Sequence, residues 1–274
     1  MIDVSILMSV YIKEKPAFLD AALFSIVNQS LSPKEIVIVE DGPLTTDLYQ
    51  VIDYYTSLSK KENAISIRVI RLETNKGLGI ALQKGLQECH SQIIARMDSD
   101  DIAKRDRIAK QFHFMESHPN VAVCGGNIEE FSDDSDVVRV KTMPIDYPAV
   151  LKYARYRNPV NHMTVMFRKE IVEQVGGYHD IKQLEDYDLW IRILARGYII
   201  ENIPSILVSA RTGNGFADRR GGKEYYQRYK QLRMTQRRYK LINWYQYYIA
   251  VFITFIMTRS SSGIRKKIYK ELRK

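Results

Sequence analysis

Short apolar segments alternate with amphipathic segments over residues 4–97. Val4–Val10 and Glu35–Glu40 are apolar runs that end in polar turns, which is typical of parallel strands buried on both faces. Between them, apolar side chains recur at helical spacing behind Pro16, a favourable residue in the first turn of a helix. Strands that alternate with helices predict an α/β fold with a parallel sheet and right-handed crossovers.

The alternation continues beyond these elements and then becomes less regular. The pattern predicts further helices near 46–59, 79–89, 105–117 and 185–196. It predicts further strands near 65–72, 92–97, 121–124 and 163–167. Residues 211–222 contain four glycines, which indicates a loop.

Acidic or glycine-bearing turns follow three of the predicted strands. They are Glu40–Gly42, Asn75–Gly79 and Asp98–Asp101. Ligands of parallel α/β sheets bind at the carboxyl ends of the strands. The three turns should therefore meet at one edge of the sheet, which favours a single nucleotide site over three unrelated turns.

Residues 98–101 carry three carboxylates in four positions. Packing this much negative charge at a strand end is costly unless a positive group binds there. Oxygen ligands in this number suit Mg²⁺ or Mn²⁺, which usually take substrate phosphates as further ligands. The alternative is an Asp-rich turn that caps the following helix.

The net charge of +9 is unevenly distributed along the chain. Residues 211–274 contain 17 Lys/Arg and three Asp/Glu, whereas residues 1–210 contain 24 and 29. A basic C-terminal segment indicates an anionic partner, either nucleic acid or a membrane surface. The two cysteines form no metal-ligand cluster and favour a reducing compartment, and the first residues predict no secretory signal.

The C-terminal segment combines basic, aromatic and apolar residues. The pattern predicts a basic helix over 223–241, whose apolar stripe consists of Tyr225, Tyr229, Leu232 and Tyr239. Residues 244–257 are mostly apolar but fall short of the about 20 residues that a spanning helix needs. Together with the basic residues at 265–270, they predict an interfacial membrane anchor. A helix packed on the body and a dimer contact are the alternatives.

Five motifs occur in an order that is typical of one family. They are Val4-Ser5-Ile6-Leu7-Met8-Ser9-Val10-Tyr11, Ile38-Val39-Glu40-Asp41-Gly42, Asn75-Lys76-Gly77-Leu78-Gly79, Asp98–Asp101 and Glu185-Asp186-Tyr187-Asp188-Leu189-Trp190. In this order they resemble the inverting family 2 glycosyltransferases over residues 2–210. Glu40–Thr45 and Arg219–Gly222 resemble the bacterial enzymes that assemble O-antigen, capsule and exopolysaccharide repeat units. The resemblance implies the GT-A fold, a Rossmann-like and mostly parallel sheet flanked by helices, followed by a basic amphipathic helical tail.

The resemblance also implies roles for residues on the donor side. Asp41 would accept a hydrogen bond from the uracil N3–H, and Asp98 would lie near the ribose and the donor sugar. Asp100 would hold Mn²⁺ or Mg²⁺ on the donor diphosphate. Arg211, Arg219 and Arg220 lie in the glycine-rich loop, where arginine side chains could bind that diphosphate, and Arg219 and Arg220 are assigned this role. A turn aspartate and solvated surface arginines are the alternative interpretations.

On the acceptor side the resemblance nominates Asp186 as the base that removes the proton of the attacking hydroxyl, with Glu185 beside it. Acidic residues are also favoured at the start of a helix, and both explanations can hold together. His162 would lie on the acceptor side, although a lone histidine is more often structural. Glu40 stands where the family more often has Asp, which argues against a direct role for it.

The expected activity is transfer of a hexose, glucose or galactose, from a UDP-sugar with inversion to a β-linkage. By resemblance, the acceptor is a lipid-diphosphate-linked sugar, such as N-acetylhexosamine on undecaprenyl diphosphate, in bacterial surface polysaccharide synthesis. The enzyme would lie peripherally on the anionic cytoplasmic face of the inner membrane and would bind no nucleic acid.

The same reasoning divides the chain into three parts. Residues 1–101 would bind the nucleotide sugar, 102–222 would form the acceptor and catalytic half, and 223–274 would form a membrane-associating helical tail. One alternative is a non-catalytic protein that binds a nucleotide sugar or nucleic acid through its basic tail. Another is a sugar nucleotidyltransferase, but residues 8–20 lack the glycines of an early phosphate loop.

Overall fold

The computed structural model describes residues 1–62, 65–132, 135–212, 222–261 and 263. The strands are β1 (Ile2–Val10), β2 (Pro33–Glu40), β3 (Ser66–Arg71), β4 (Ile93–Asp98), β5 (Ile102–Ala103), β6 (Val121–Ser132), β7 (Ser135–Lys141), β8 (Met166–Arg168) and β9 (Ile199–Arg211). The helices are α1 (Pro16–Val27), α2 (Thr46–Glu62), α3 (Leu78–Glu88), α4 (Arg107–Ser117), α5 (Tyr147–Ala154), α6 (Lys169–Gln174), α7 (Glu185–Ala195), α8 (Gly222–Arg238) and α9 (Trp244–Arg259).

The first half of the chain forms the predicted parallel sheet. Its strand order is β3-β2-β1-β4, and every neighbouring pair among these four is parallel. Val10 of β1 is in register with Glu40 of β2, and Ser9 is in register with Asp98 of β4. The carboxyl ends of the three strands therefore meet at one edge, as the sequence predicts.

The second half extends the same sheet with mixed strand directions. Strand β8 is antiparallel to both β4 and β6, and β6 is parallel to β9. The strand predicted near 163–167 begins only at Met166, because His162–Thr164 form a 3₁₀ turn. The Thr164 hydroxyl donates to the Asn161 carbonyl at 2.7 Å and accepts from the Gly126 N–H at 3.1 Å, which holds that turn.

Both faces of the sheet are buried under helices. Ile6 and Met8 point into a core that is shared with α1, α2 and α4, whereas Leu7 between them points into a core shared with α3, α5 and α7. This alternation along one strand is what a fully buried parallel strand requires. The GT-A-type α/β architecture expected from the sequence is confirmed.

The two C-terminal helices pack on the body in series. Tyr225 and Leu232 of α8 are buried against Leu184, Tyr187 and Ile191 around α7. The apolar stripe predicted for this helix therefore faces the protein, and Tyr239, which follows the helix, is 47% exposed and lies outside that contact. Helix α9 then packs on α8. Across the described residues, no helix combines the length and the apolar character needed to cross a bilayer.

Candidate glycosyl-transfer site

Asp41 holds two strand-end loops together. It is buried, and its carboxylate accepts from the backbone N–H groups of Lys76 at 2.6 Å and Gly77 at 3.0 Å. Gly42 has a φ of +84°, and a Cβ there would lie 2.6 Å from the Asn75 nitrogen. The loop after β3 is thus fixed against the end of β2. Each carboxylate oxygen retains a second lone pair that a ligand N–H could use.

Glu40, next to Asp41, takes part in a different contact. Its side chain is buried, and one oxygen accepts from Arg71 Nε at 3.0 Å. Burial, only partly offset by the Arg71 charge, raises the pKa of this carboxyl above its ordinary value. The contact turns Glu40 toward β3, which agrees with the expectation that it has no direct role.

The aspartate cluster has the geometry of a cation site. Carboxylate oxygens of Asp98, Asp100 and Asp101 lie within 4.8 Å of one another. Asp101 accepts from the Arg211 backbone N–H at 2.7 Å, and its other oxygen is buried without a hydrogen-bond partner in the described part of the chain. Three close carboxylates with an unsatisfied buried oxygen suit a hard divalent cation. These residues therefore fit Mn²⁺ or Mg²⁺.

The electrostatics of the cluster point the same way. Burial and the charges of Asp98 and Glu14 raise the pKa of Asp100 to about 7. Burial and the two neighbouring aspartates raise the pKa of Asp101 well above its ordinary value. Negative charge is thus stored here at a cost that a bound cation would offset.

The alternative interpretation of the cluster, a turn that caps the next helix, is wrong. Helix α4 begins at Arg107, and its N-cap position is Asp106, which makes no side-chain capping hydrogen bond. The aspartates instead lie between β4 and the short strand β5. Helix capping therefore does not explain them.

Two buried arginines counter the cluster, and sequence reasoning missed both. Arg96 forms an ion pair with Asp98 and is almost fully buried. Arg107 donates to the Arg96 carbonyl at 2.6 Å, and burial together with the Arg96 charge lowers the pKa of its guanidinium to about 9. The sequence offered one signal for Arg96, its position inside the otherwise apolar strand β4. An arginine is seldom buried unless it is paired, so an acidic partner could have been expected.

Two further side chains complete this edge. The Ser99 hydroxyl donates to the Glu14 carboxylate at 2.6 Å, which brings the loop after β1 to the cluster. Arg211 donates through Nε to the Asp100 carbonyl at 3.1 Å, and its guanidinium lies 3.8 Å from the centre of the Phe18 ring. Glu14 was not foreseen, whereas Arg211 was considered as a diphosphate ligand. Arg219 and Arg220 lie outside the described residues.

The second carboxylate pair opens helix α7. Asp186 accepts from Asn158 Nδ2 at 2.5 Å and from the Tyr187 N–H at 2.7 Å. Glu185 is buried, and burial, followed by the charge of Asp186, raises its pKa to about 7. The positive end of the helix favours both acids, so the structural explanation holds as well. Asn158 is a partner that the sequence did not indicate.

The first turn of α3 lies close to the start of α7. A Cβ at Gly79 would lie 2.5 Å from the His179 carbonyl oxygen and 3.4 Å from the Glu185 Cβ. The helix that follows the Asp41-bound loop therefore begins against the backbone at His179 and the base of the Glu185 side chain. Arg96 is close to both carboxylate groups, since it pairs with Asp98 and its charge offsets a small part of the rise in the pKa of Glu185.

His162 lies in the packed interior of this region. Its Nε2 lies 3.0 Å from the Tyr178 hydroxyl, and its ring meets Trp190 edge-on at 6.1 Å. Burial and the nearby Arg96 charge lower its pKa well below the ordinary value, so the ring is neutral at physiological pH. The acceptor-side role of His162 stays a prediction.

Comparison with known proteins identifies the family. The family model described as glycosyl transferase family 2 matches residues 5–176, and that of glycosyl transferase family group 2 matches residues 93–263. An uncharacterised glycosyltransferase of Haemophilus influenzae is 42% identical over 80% of this chain and 79% of its own. The amylovoran biosynthesis glycosyltransferase AmsE of Erwinia amylovora is 39% identical, with coverages of 81% and 80%.

A third relative carries a specific activity in its name. It is the UDP-Gal:alpha-D-GlcNAc-diphosphoundecaprenol beta-1,3-galactosyltransferase of Escherichia coli, which is 38% identical over 81% of this chain and 78% of its own. Its name states the donor, the acceptor and the linkage for that protein.

Solved structures share the fold at low sequence identity. S. aureus TarS in complex with UDP-GlcNAc superposes with a TM-score of 0.66 at 18% identity, over 85% of this chain and 66% of that one. The mannosyltransferase PcManGT of Pyrobaculum calidifontis, in complex with GDP-Man and Mn²⁺, gives 0.65 at 17%, over 86% and 64%. The chain thus spans about two thirds of these structures. With its matched family models, its relatives and its GT-A architecture, the chain belongs to glycosyl transferase family 2 and is a glycosyltransferase.

Proposed function

We propose that the protein transfers glucose or galactose from a UDP-sugar to a lipid-diphosphate-linked sugar, with inversion to a β-linkage, in bacterial surface polysaccharide synthesis. The observation that supports the proposal is the closeness of the Asp41-bound loop and the following first turn of α3 to the start of α7, where Gly79 lies near Glu185. The printed activity of the E. coli relative supports the donor, the acceptor and the linkage.

On the donor side, Asp41 accepts from the uracil N3–H and Asp98 lies beside the ribose and the sugar. Asp100 and its neighbouring carboxylates hold Mn²⁺ or Mg²⁺, for which their spacing is suited. When bound, the cation supplies positive charge to the diphosphate leaving group. Arg219 and Arg220 bind the same diphosphate.

On the acceptor side, Asp186 takes the proton of the attacking hydroxyl. The new bond forms from that oxygen to the anomeric carbon as the bond to UDP breaks, so a single displacement inverts the centre. Asn158 and the Tyr187 N–H fix the Asp186 carboxylate, which supports its role as an oriented base. Glu185 orients the site and the acceptor beside it, and His162 supports the acceptor side from the interior.

We also propose a peripheral position on the anionic cytoplasmic face of the inner membrane. Seven large side chains of α9, Trp244 among them, are between 40% and 74% exposed. The other six are at the spacing of a single helical stripe: Tyr245, Tyr248, Ile249, Phe252, Ile253 and Ile256. The opposite face, with Tyr247, Thr254 and Thr258, is buried toward the protein. An apolar stripe that points outward from a basic helix pair is suited to a lipid surface.

The proposal keeps the three-part division of the chain: 1–101 for the nucleotide sugar, 102–222 for the acceptor and catalysis, and 223–274 for the membrane. Membership of a glycosyltransferase family sets the nucleotidyltransferase alternative aside. A nucleic-acid partner would give steep salt-dependent binding to DNA or RNA, and we expect none at physiological salt.

A donor screen tests the proposal. Purified protein with Mn²⁺ is offered UDP-glucose, UDP-galactose and their N-acetyl counterparts, together with synthetic lipid-diphosphate N-acetylglucosamine, and products are resolved by mass. We expect one hexose to be added from one UDP-hexose. Transfer of an N-acetylhexosamine instead, or no transfer to this or any related lipid-diphosphate sugar, would contradict the proposal.

A further inference from the structure

A basic cavity lies at the turn between α8 and α9, away from the carboxylates of the transfer site. It is a largely open cavity of about 340 Å³, lined by three cationic residues, Arg155, Arg237 and Lys240, by the polar residues Asn243 and Gln246, and by the apolar residues Leu241 and Ile242. None of the described residues that line it is acidic. The cavity therefore concentrates positive charge without an internal counter-ion.

The two arginines have unused hydrogen-bonding capacity. The Nε atoms of Arg155 and Arg237 are buried, and neither has a hydrogen-bond partner among the residues that the structure describes. The guanidinium of Arg237 lies 4.7 Å from the centre of the Trp244 ring, a contact that satisfies no N–H. Arginine side chains bind phosphate oxygens well, so the two guanidinium groups are suited to a ligand with oxygen acceptors.

The position of the cavity favours a ligand that belongs to a lipid. It adjoins the N-terminal end of α9, where the helix dipole adds positive potential. The outward apolar stripe of α9 begins at Tyr245, next to the cavity residues Asn243 and Gln246. A molecule with a phosphate in the cavity could thus extend its hydrocarbon part along the stripe.

The cavity is also connected to the proposed catalytic base. Arg155 lies three residues before Asn158, whose side chain donates to Asp186. The segment is held by Arg233, which is buried and donates to the Arg155 carbonyl at 2.7 Å and to the Tyr156 carbonyl at 2.6 Å. One short, well-anchored segment therefore links the basic cavity to the acceptor side of the transfer site.

We propose that this cavity binds the phosphate groups of a membrane lipid through Arg155, Arg237 and Lys240. The assignment to the acceptor's diphosphate rests on the proposed function, because only then is the acceptor lipid-linked. An anionic phospholipid head group offers the same chemistry, and the experiment separates the two sources.

The first measurement is calorimetric binding of inorganic pyrophosphate to the full chain in EDTA, which keeps divalent cations from the aspartate cluster. The double variant Arg155→Gln with Arg237→Gln should weaken binding by about tenfold or more, since two charge-assisted contacts are lost. Arg238→Gln is the matched control, because this exposed residue of α8 lies outside the cavity lining. If the double variant and Arg238→Gln weakened pyrophosphate binding equally, the proposal would be overturned. It would also be overturned if the wild type bound neither pyrophosphate nor the vesicles of the second measurement.

The second measurement uses phosphatidylcholine vesicles that carry either a polyprenyl diphosphate or phosphatidylglycerol at equal surface charge. A loss of about tenfold by the double variant on the first vesicles alone assigns the cavity to the acceptor's diphosphate. The same loss on both assigns it to lipid phosphates in general, and a loss no larger than that of Arg238→Gln on both overturns the site. Unchanged UDP binding with Mn²⁺ confirms that the variant is folded. Neither readout requires sugar transfer, so a failure of the proposed function would leave these results interpretable.

Discussion

Two clusters of like charge lie in different parts of this molecule and are built in different ways. The aspartates at the end of β4 are held by a rigid sheet and are countered by buried Arg96. The cations at the α8–α9 turn, Arg155, Arg237 and Lys240, lie between helix ends without an acidic neighbour in the described lining. The spacing of the first cluster fits one small cation, whereas we propose a larger and more variable anion for the second.

Under the proposed function, the first region carries out the reaction and the second region binds the membrane. The strand-end cluster and the α7 carboxylates are positioned by register and by short backbone hydrogen bonds, which is the accuracy that the proposed reaction would need. The tail combines charge with an outward apolar stripe, which tolerates displacement along a surface. Changes in the first region should therefore affect turnover, and changes in the second should affect where the enzyme binds.

The largest expected effect is the loss of turnover in Asp186→Asn. Removal of a general base typically costs about 10²- to 10⁴-fold in kcat, while UDP binding with Mn²⁺ should be retained. Steady-state transfer rates and calorimetric UDP binding measure the two quantities. Asp180→Asn, at an exposed position of the preceding loop, is the matched control and should leave both unchanged. Substantial turnover in Asp186→Asn would place the base elsewhere.

The tail should respond to the removal of apolar surface. Replacing Phe252 and Ile253 by Ser removes two exposed side chains of the stripe, each worth about 1.5–3 kcal/mol when fully buried. Flotation with anionic vesicles should show binding weakened by about tenfold or more, with transfer to a short-chain acceptor in solution unchanged. Val138→Ser with Val140→Ser, two exposed residues on β7, provides the matched control. Equal vesicle binding in all three proteins would refute the membrane role.

The aspartate cluster should destabilise the protein when no cation is present. Asp100→Asn removes one of several close negative charges, so the metal-free protein should become more stable by about 2 kcal/mol at pH 8. Mn²⁺ should raise the Tm of the wild type but not that of the variant. Asp106→Asn, an exposed change at the start of α4, is the control for the loss of one charge. If metal-free Asp100→Asn were less stable than the metal-free wild type, repulsion among the aspartates would not destabilise the protein as proposed.

The smallest expected effect concerns Glu185. Its folded pKa of about 7 lies above the unfolded value of about 4.5, so its contribution to stability is full below pH 4.5 and is lost as the pH rises through 7. Between pH 6 and 8 the wild type should lose about 1 kcal/mol more stability than Glu185→Gln. Denaturant unfolding of both proteins at the two pH values measures this difference. Identical pH dependence would mean that Glu185 ionises normally in the folded protein.

Much of the sheet and of the strand-end chemistry could be predicted from the sequence, because both follow local rules. Apolar runs ending in Asp41 and in Asp98 mark strands whose carboxyl ends must meet. Partners that are distant in sequence could not be predicted in this way. Asn158 reaches Asp186 across 28 positions, and Glu14 reaches Ser99 across 85.

The orientation of the tail helices also lay beyond local rules. The stripe of α8 was predicted from its spacing, but only the surface of α7 decides that Tyr225 and Leu232 face the body. Helix α9 has apolar residues on most of its circumference, so spacing alone does not tell which face packs inward. Burial of Thr254 with exposure of Phe252 settles that question in the structure.

The most direct test of the account is the anomeric configuration of the product. Full-length protein, Mn²⁺ and a UDP-hexose would be incubated with a lipid-diphosphate N-acetylglucosamine acceptor, and the new linkage read from the anomeric proton coupling by NMR. The account predicts a single β-linked hexose, as expected when Asp186 deprotonates an acceptor that attacks opposite the leaving UDP. An α-linked product would contradict the single inverting displacement on which the site is interpreted.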